Sequence, residues 1–402
     1  MSADSSFFQS RSPSSQRQWQ VRELSVLILL TGLAAWLFRD SSLDFWAARL
    51  FYHPDNAVDP WFEQNFPLWE FFYQAAPWFT AVLLLGSLAV QGRALVKPRW
   101  RSFRRDAVLV FLVVALGPGL VVNAVFKPYW GRPRPREVVE LGGKHQYRSF
   151  HSPAIGASGK SFPCGHCSIG FSFGVFWWIG SRHRGRATKY GAFVLVGSLI
   201  VGSLMGVGRM AAGGHFLSDV VWAGLMVYWV CYWTHYHLLE LWWRRRRAIS
   251  AADDNQHRAL VLSAYGVLAI ITVIVILVAS PFHSDVHLLA QPPSGEKSLE
   301  FEIENARVDI SLDERLATSF EVKGYAKGFG FPGGKMRAIC DRANFEEKCS
   351  VKRQGFFSDY ESVLHLSVNP RLVPRFSLKV LSGEVYRDKA LAWPENYQIE
   401  MR

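Results

Sequence analysis

The chain has 402 residues, of which 50% are hydrophobic, and a formal net charge of +12 at pH 7. Its mean hydropathy is nevertheless only +0.06, so strongly apolar stretches must be offset by a polar region elsewhere. The basic residues stand in short clusters between apolar runs, which makes the charge a signal of membrane orientation and not of nucleic-acid binding. A membrane part joined to a soluble part is therefore expected.

Apolar runs between the basic clusters are each close to the ~20 residues that cross a membrane as a helix. They predict seven spans, near residues 24–39, 74–92, 107–126, 167–181, 190–208, 219–241 and 259–280. The first and fourth runs are short for a span, so a buried core helix is the alternative for either. The predicted domains are a cytoplasmic tail (1–20), a six-span helical core (21–241), a basic loop (242–258), the seventh span (259–280), a linker (281–300) and a β-rich domain (301–402).

Lys and Arg clusters predict the orientation, because they stay on the cytoplasmic side of short loops. Such clusters follow the second, fourth and sixth spans and also occur in the N-terminal tail. With the N-terminus inside and seven spans, the C-terminal domain is expected outside the cytoplasm.

The C-terminal domain has a different pattern, in which apolar and polar residues alternate as in half-buried strands. Val308, Ile310 and Leu312 form one such stretch. Cys340 and Cys349 are expected to form a disulfide in an oxidising compartment, with two unpaired thiols as the alternative. We expect this domain to bind a glycan, lipid or protein partner and to be dispensable for chemistry.

The loop between the third and fourth spans is basic, although it lies on the face where such loops usually carry few cations. Its cations are Lys127, Arg132, Arg134, Arg136, Lys144, Arg148 and Lys160. This density predicts an anionic ligand. For Lys144, Arg148 and Lys160, contact with lipid headgroups is an equally good interpretation.

Three motifs occur in order at the ends of predicted spans. Lys127 to Pro135 fits K-x6-R-P, Pro163-Cys164-Gly165-His166 is close to P-S-G-H, and Arg209 to Asp219 fits R-x5-H-x3-D. Together they resemble the signature of the type 2 phosphatidic acid phosphatase family, which is similar to the vanadium haloperoxidases. The last stretch looks most similar to the bacterial lipid A phosphatase branch.

The residue types suit the chemistry that this resemblance implies. Lys127, Arg134 and Arg209 supply positive charge for phosphate oxygens, and Gly165 lets backbone N–H groups approach the same anion. Cys164 replaces the serine of the family motif, so a thiol is expected to be the weaker donor there. No metal or other cofactor is expected, because the carboxylate cluster of a Mg²⁺ site is lacking.

The family pattern assigns the reacting groups. His215 would attack phosphorus to form a phosphohistidine, and His166 would protonate the leaving oxygen. Asp219 would accept the proton of the other ring nitrogen of His215 and thereby fix its tautomer. A buried polar pair that merely ties two spans together is the structural alternative for His215 and Asp219.

The resemblance implies a bacterial inner-membrane enzyme with a periplasmic active site. Its expected substrate is a membrane lipid phosphate such as lipid A, undecaprenyl diphosphate or a phospholipid phosphate. A lipid phosphotransferase that uses the same histidine remains open, as does a non-catalytic lipid-binding protein. The C-x-x-C spacing of Cys164 and Cys167 also allows a thiol-redox function, or a regulatory disulfide at the site.

Overall fold

A computed structural model describes residues 12–56, 60–155, 157, 159–183, 186–240, 266–274, 280–290, 298–304, 306–330, 335–343, 346–355, 357–381, 383–387 and 393–401. The chain divides into two compact units, Met1–Val273 and Ile274–Arg402. The first is helical and the second is built of strands. This confirms the predicted order of a helical part followed by a strand-rich part.

The helical unit is Met1–Val273. Its helices are α1 (Pro13–Leu37), α2 (Ser42–Arg49), α3 (Pro67–Val96), α4 (Arg104–Val114), α5 (Lys127–Tyr129), α6 (Gly165–Ser172), α7 (Val175–Ser181), α8 (Arg186–Ala211) and α9 (Leu217–Trp233). A π-helical stretch, Ala115–Phe126, joins α4 to α5, and a second one, Thr234–Leu238, extends α9. Short 3₁₀ turns cover Phe62–Asn65, Pro98–Phe103, Pro135–Glu137 and Val139–Leu141.

Four helical stretches of the described residues are long and apolar enough to cross a membrane: Ser14–Leu37, Pro67–Val96, Pro98–Tyr129 and Arg186–Ala211. They coincide with the first, second, third and fifth predicted spans. The fourth prediction corresponds to the two short helices α6 and α7, and the sixth to α9 with its π-helical extension. Of the seventh, residues 266–274 are helical, while 259–265 and 275–279 lie outside the described residues.

Small residues allow α6 to pack closely against α8. A Cβ atom added to Gly170 would lie 2.7 Å from the Cα atom of Gly202, so a larger side chain at either position would separate the two helices. Nearly all residues of α6 are buried, including Ile169 and Phe171. This packing holds the first turn of α6, where His166 lies, among the other helices.

The second unit consists of two sheets of five strands each within the described residues. The strands are β1 (Ser280–Leu289), β2 (Ser298–Ile303), β3 (Ala306–Leu312), β4 (Phe320–Gly330), β5 (Lys335–Ala343), β6 (Glu346–Gln354), β7 (Phe357–Val368), β8 (Arg375–Val380), β9 (Gly383–Arg387) and β10 (Tyr397–Met401). The sheet orders are β1-β4-β7-β3-β9 and β10-β8-β2-β6-β5. Alternate residues form one buried core, as the period of two predicted, with Phe301, Phe320 and Leu366 fully buried.

The start of the strand unit differs from the predicted boundaries. β1 pairs antiparallel with β4 from Ser280 to Leu289, within a segment expected to end the seventh span and begin the linker. The physical reason is that β1 contributes Val286 to the buried core, so it belongs to the sheet. Of the predicted linker (281–300), residues 291–297 lie outside the described residues.

The predicted Cys340–Cys349 disulfide is confirmed. The two cysteines face each other across the antiparallel β5–β6 pair, with Cα atoms 4.0 Å apart. Because a covalent link between adjacent strands restricts the unfolded chain, it stabilises the folded unit.

We predict that replacing both Cys340 and Cys349 by Ser lowers the free energy of unfolding of the strand unit by about 2–3 kcal/mol, the value expected for a short closed loop. Pulse proteolysis of the full-length protein in increasing urea measures this change. Ile339→Ser, at a half-exposed neighbouring position, is the control and should change the value by less than about 0.5 kcal/mol. Equal midpoints for the double variant and the parent would contradict the prediction.

Candidate active site

The first motif lies on the segment that follows the π-helical stretch. Lys127 begins α5, and Arg134 precedes the 3₁₀ turn Pro135–Glu137, where its backbone N–H donates to the Glu137 carboxylate at 2.7 Å. Both side chains are half-buried. An anion that approaches from the surface can therefore reach them.

Backbone hydrogen bonds join the three motifs. The Arg136 N–H donates to the Gly213 carbonyl at 3.1 Å, which links the first motif to the third. The Cys164 N–H donates to the Asp219 carbonyl at 3.1 Å, which links the second motif to the third. Segments distant in sequence thus meet at the N-terminal ends of α6 and α9.

The charged side chains of the motifs converge at His166, the second residue of α6. His166 interacts electrostatically with Arg209, Lys127, His215 and Arg134. Three cations and two imidazoles therefore act on one another in one group. A phosphate group at this position would meet positive charge from two segments of the chain, the first motif and the end of α8.

His215 lies in the loop between α8 and α9 and is only 3% exposed. Its Nδ1 atom lies 2.5 Å from the carbonyl oxygen of Ser161. Because a carbonyl only accepts hydrogen bonds, Nδ1 carries the proton, and the lone pair is on Nε2. Nε2 is thus the ring nitrogen with a lone pair to offer to a bound group.

Asp219 has a different contact from the one expected. Its Oδ2 atom lies 3.7 Å from His215 Nδ1, an ion-pair distance that is too long for a hydrogen bond. Instead, Oδ2 accepts from the Ser161 hydroxyl at 2.6 Å and from the Phe216 N–H at 2.8 Å. The Ser161 carbonyl therefore takes the tautomer-fixing contact that sequence analysis gave to Asp219, and Asp219 holds Ser161.

Burial lowers the pKa of His215 to about 4. The negative charge of Asp219 opposes this shift, and the positive charges of Arg209 and Lys127 add to it. The imidazole is thus neutral near pH 7, which is the form required of a nucleophile.

Two glycines shape the third motif. Gly213, with a φ of +58°, ends α8 and donates its N–H to the Met210 carbonyl at 2.8 Å. At Gly214 an added Cβ atom would lie 2.6 Å from Nη2 of Arg209. Glycine at this position therefore lets the Arg209 guanidinium pack against the backbone beside His215.

Cys164 and Cys167 form a disulfide, and both side chains are fully buried. Cys164 therefore has no S–H group to donate to phosphate, which corrects the thiol role expected from the sequence. Gly165 remains suitable, because it opens α6, where backbone N–H groups lack partners within the helix. Thiol–disulfide exchange needs access for an attacking thiolate, so the burial of both sulfurs argues against an oxidoreductase function.

Sequence analysis did not predict Tyr73 or Asp44 as part of the candidate site, and it misassigned Arg132. Tyr73 of α3 stacks on the His166 ring, with ring centroids 4.9 Å apart and planes at 12°. The Arg209 guanidinium carbon lies 5.2 Å from the centroid of the same Tyr73 ring. Arg132 was expected to face an external anion, but it is 1% exposed and pairs with Asp44 and Asp219. Tyr73 and Asp44 lie outside the three motifs. The available signal in the sequence was an aromatic or a charged residue in apolar surroundings.

A cluster of potential metal ligands occurs in the strand unit. Within the described part of the chain, Cys340, Glu347 and Cys349 place potential ligand atoms within 4.8 Å of one another. Both sulfurs belong to the disulfide, so they offer no thiolate ligands. This cluster belongs to the strand unit, and it lies outside the three motifs.

Comparison with known proteins identifies similar sequences. Residues 107–244 match the PAP2 superfamily. A lipid A 4'-phosphatase of Francisella tularensis subsp. novicida (strain U112) is 34% identical over 187 residues, which cover 45% of this chain and 75% of that protein. A lipid A 4'-phosphatase of Rhizobium leguminosarum is 32% identical over 108 residues, covering 26% of this chain and 43% of that protein. Among solved structures, a PAP2 type phosphatidylglycerolphosphate phosphatase from Bacillus subtilis aligns over 56% of this chain and 96% of its own, with 20% identity and a TM-score of 0.34.

We predict that Tyr73→Ala lowers kcat/KM for phosphate release from a lipid phosphate by about 10-fold or more. The reason is that a stacked pair and a cation–π contact contribute about 1 kcal/mol each to the positions of His166 and Arg209. Tyr73→Phe is the matched control, since it keeps the ring and should stay within about 2-fold of the parent. If the two variants lose activity equally, the hydroxyl is the important group and the predicted role of the ring is wrong.

Proposed function

Because the chain belongs to the PAP2 superfamily, we propose that it is a membrane lipid phosphatase that hydrolyses a phosphate monoester of a lipid A-type substrate through His215. The named lipid A 4'-phosphatase relatives support this choice of substrate. The candidate spans support a substrate that reaches the site from the bilayer.

The observation that carries the proposal is the grouping of three cations around two imidazoles, one of which is buried and neutral. Lys127, Arg134 and Arg209 offer charge to the phosphate oxygens, and Nε2 of His215 offers a lone pair. A protein that only bound lipid phosphate would need the cations but not this second set of groups. The combination therefore favours catalysis over binding alone.

In the proposed mechanism, Nε2 of His215 attacks phosphorus while the three cations stabilise the charge on the transferring oxygens. Burial and the neighbouring cations lower the pKa of His166, and the negative charge of a bound lipid phosphate opposes this shift and favours the imidazolium. In this protonated form His166 donates a proton to the oxygen of the departing lipid alcohol as the bond between that oxygen and phosphorus breaks. Water then attacks the phosphohistidine, returns His215 to its neutral form and releases phosphate. The positive charge comes from side chains, so the proposed steps need no metal.

The proposed location is the inner membrane of a bacterium, with the site on the periplasmic side. The argument is the distribution of Lys and Arg, which cluster after the second, fourth and sixth predicted spans. The first motif follows the third predicted span, the second precedes the fourth, and the third lies between the fifth and the sixth, so in the proposed orientation all three fall on the side opposite these clusters.

The test is a panel of lipid phosphates incubated with the purified protein in detergent, without an acceptor lipid. We predict that His215→Ala lowers the release of free phosphate from lipid A by at least about 10³-fold, while the affinity for the lipid stays within a few-fold. The parent protein should prefer lipid A to phosphatidic acid, phosphatidylglycerol phosphate and undecaprenyl diphosphate.

His145→Ala is the control, because this exposed imidazole of the outer loop should leave the rate unchanged. Phosphate transfer to an added lipid, without release in its absence, would favour a phosphotransferase. Equal loss of binding and turnover in His215→Ala would assign the histidine a structural role.

We also propose that the strand unit does not take part in chemistry, and that it binds a glycan, lipid headgroup or protein partner. Each unit has its own buried core, and the proposed catalytic residues all belong to the helical unit. Binding of a headgroup by a tethered domain raises the local concentration of substrate.

Accordingly, a shortened protein that ends at Ala279, just before β1, should keep its kcat on a short, soluble lipid phosphate within about 2-fold. It should lose at most affinity for the full-length lipid, which a comparison of KM values on both substrates measures. The control is the full-length protein in the same detergent. A shortened protein that is folded yet inactive on the short substrate would show that the strand unit completes the site.

A further inference from the structure

A group of buried charges reaches His215 through Asp219, whose Oδ2 atom lies 3.7 Å from His215 Nδ1. Arg132 and Asp44 are each 1% exposed, and Asp219 is fully buried. Burying a charge costs free energy unless the charge is paired and hydrogen-bonded, so each of these three groups is expected to have specific partners. Arg132 occupies one of the six unspecified positions of the K-x6-R-P motif, and Asp44 lies on the short helix α2.

All three nitrogens of the Arg132 guanidinium are hydrogen-bonded. Nε donates to the Arg148 carbonyl at 2.8 Å, and Nη2 donates to Asp44 Oδ2 at 2.7 Å and to the Tyr147 hydroxyl at 3.1 Å. Nη1 donates to Asp219 Oδ1 and, at 2.8 Å, to the Ser218 hydroxyl. Because the guanidinium is a rigid fork, these bonds fix its orientation.

Asp44 supports this arrangement from a second helix. Its Oδ1 accepts the Ser218 backbone N–H at 2.9 Å, a group of the first turn of α9 that has no partner within the helix. Its Oδ2 accepts from the Ser218 hydroxyl at 2.7 Å and from the Tyr147 hydroxyl at 2.9 Å. Asp44 therefore holds both Arg132 and the beginning of α9.

A continuous set of contacts leads from this pair to the proposed nucleophile. Arg132 binds Oδ1 of Asp219, and the other oxygen of Asp219 accepts from the Ser161 hydroxyl. The carbonyl of Ser161 accepts the Nδ1 proton of His215. Loss of the Arg132 contact would leave Asp219 held through Oδ2 alone, which weakens its hold on Ser161 and, through the Ser161 carbonyl, on the His215 ring.

The charges of the group also matter. Two carboxylates share one guanidinium, so the group keeps one net negative charge beside His215. Attack by Nε2 leaves positive charge on the imidazole, which this negative charge stabilises. If Arg132 paired with Asp219 alone, the two charges would largely cancel.

We propose that Arg132 and Asp44 are positioning residues that orient Asp219 and, through Ser161, the nucleophile His215. This inference rests on the proposed function, since it assigns the two residues a part in that reaction. It also predicts which nitrogen of the His215 ring carries the proton, and this can be measured whether or not the protein turns over a substrate.

The test compares Asp44→Asn with Asp106→Asn. Asp106 is the matched control, because it also pairs with an arginine: its Oδ1 atom lies 2.9 Å from Arg182 Nη1. Asp106 lies at the beginning of α4, whereas Lys127 of the candidate site follows the other end of the same helical stretch. Asp44→Asn should lower kcat by about 10- to 100-fold, as the loss of an orienting partner does, and leave KM within about 2-fold. Asp106→Asn should leave both constants unchanged.

A second measurement does not depend on activity. Nitrogen NMR of histidine-labelled protein, with the signal assigned through His215→Ala, should show a protonated Nδ1 and an unprotonated Nε2 for His215 in the parent. In Asp44→Asn the two nitrogen shifts should move toward each other, because the tautomer is no longer fixed. Asp106→Asn should give the parent spectrum.

The outcomes separate the two proposals. Unchanged His215 signals together with unchanged kcat in Asp44→Asn would overturn the positioning role. A lowered unfolding temperature with a normal kcat for the folded fraction would overturn it as well, since the pair would then serve stability alone. If the parent hydrolyses no lipid phosphate but Asp44→Asn still changes the His215 signals, the proposed function fails and the positioning role stands.

Discussion

The geometry of the candidate site depends on one buried guanidinium held between two carboxylates. Arg132 belongs to the loop that carries the first motif, Asp44 to α2, and Asp219 to α9, so the ion pairs connect three segments that are distant in sequence. Each of these charges would be costly to bury alone. Their mutual pairing makes the assembled arrangement the stable one, and it places the first and third motifs next to each other.

Near the ion pairs of Arg132, the cations and the neutral imidazole of His215 have separate roles. Half-buried Lys127, Arg134 and Arg209 can be reached by an anion, whereas His215 is almost fully buried and kept neutral. Burial lowers the pKa of His215 most, and two of the same cations, Arg209 and Lys127, lower it further, so groups that would hold phosphate also help to keep the nucleophile neutral. The negative charge of Asp219 opposes this lowering of the His215 pKa.

The apolar helices provide the setting for the site. Close packing at Gly170 and Gly202 holds α6 against α8, and α3 brings Tyr73 onto His166 and Arg209. The aromatic ring gives both polar groups a fixed surface to pack against. The strand unit has a core of its own and contributes none of these groups.

The sequence by itself determined the residue chemistry and the local periodicities. Apolar runs predicted the helical part, alternation predicted the strands, and motif spacing identified Lys127, Arg134, His166, Arg209 and His215, because these are local properties of the chain. Only the tertiary structure decided which groups meet. It paired Arg132 with Asp44, gave the tautomer contact to Ser161, joined Cys164 to Cys167 and placed β1 in a sheet. Spacing along the chain indicates what a side chain can do, whereas the partner of a buried charge or strand is set by packing between segments far apart in sequence.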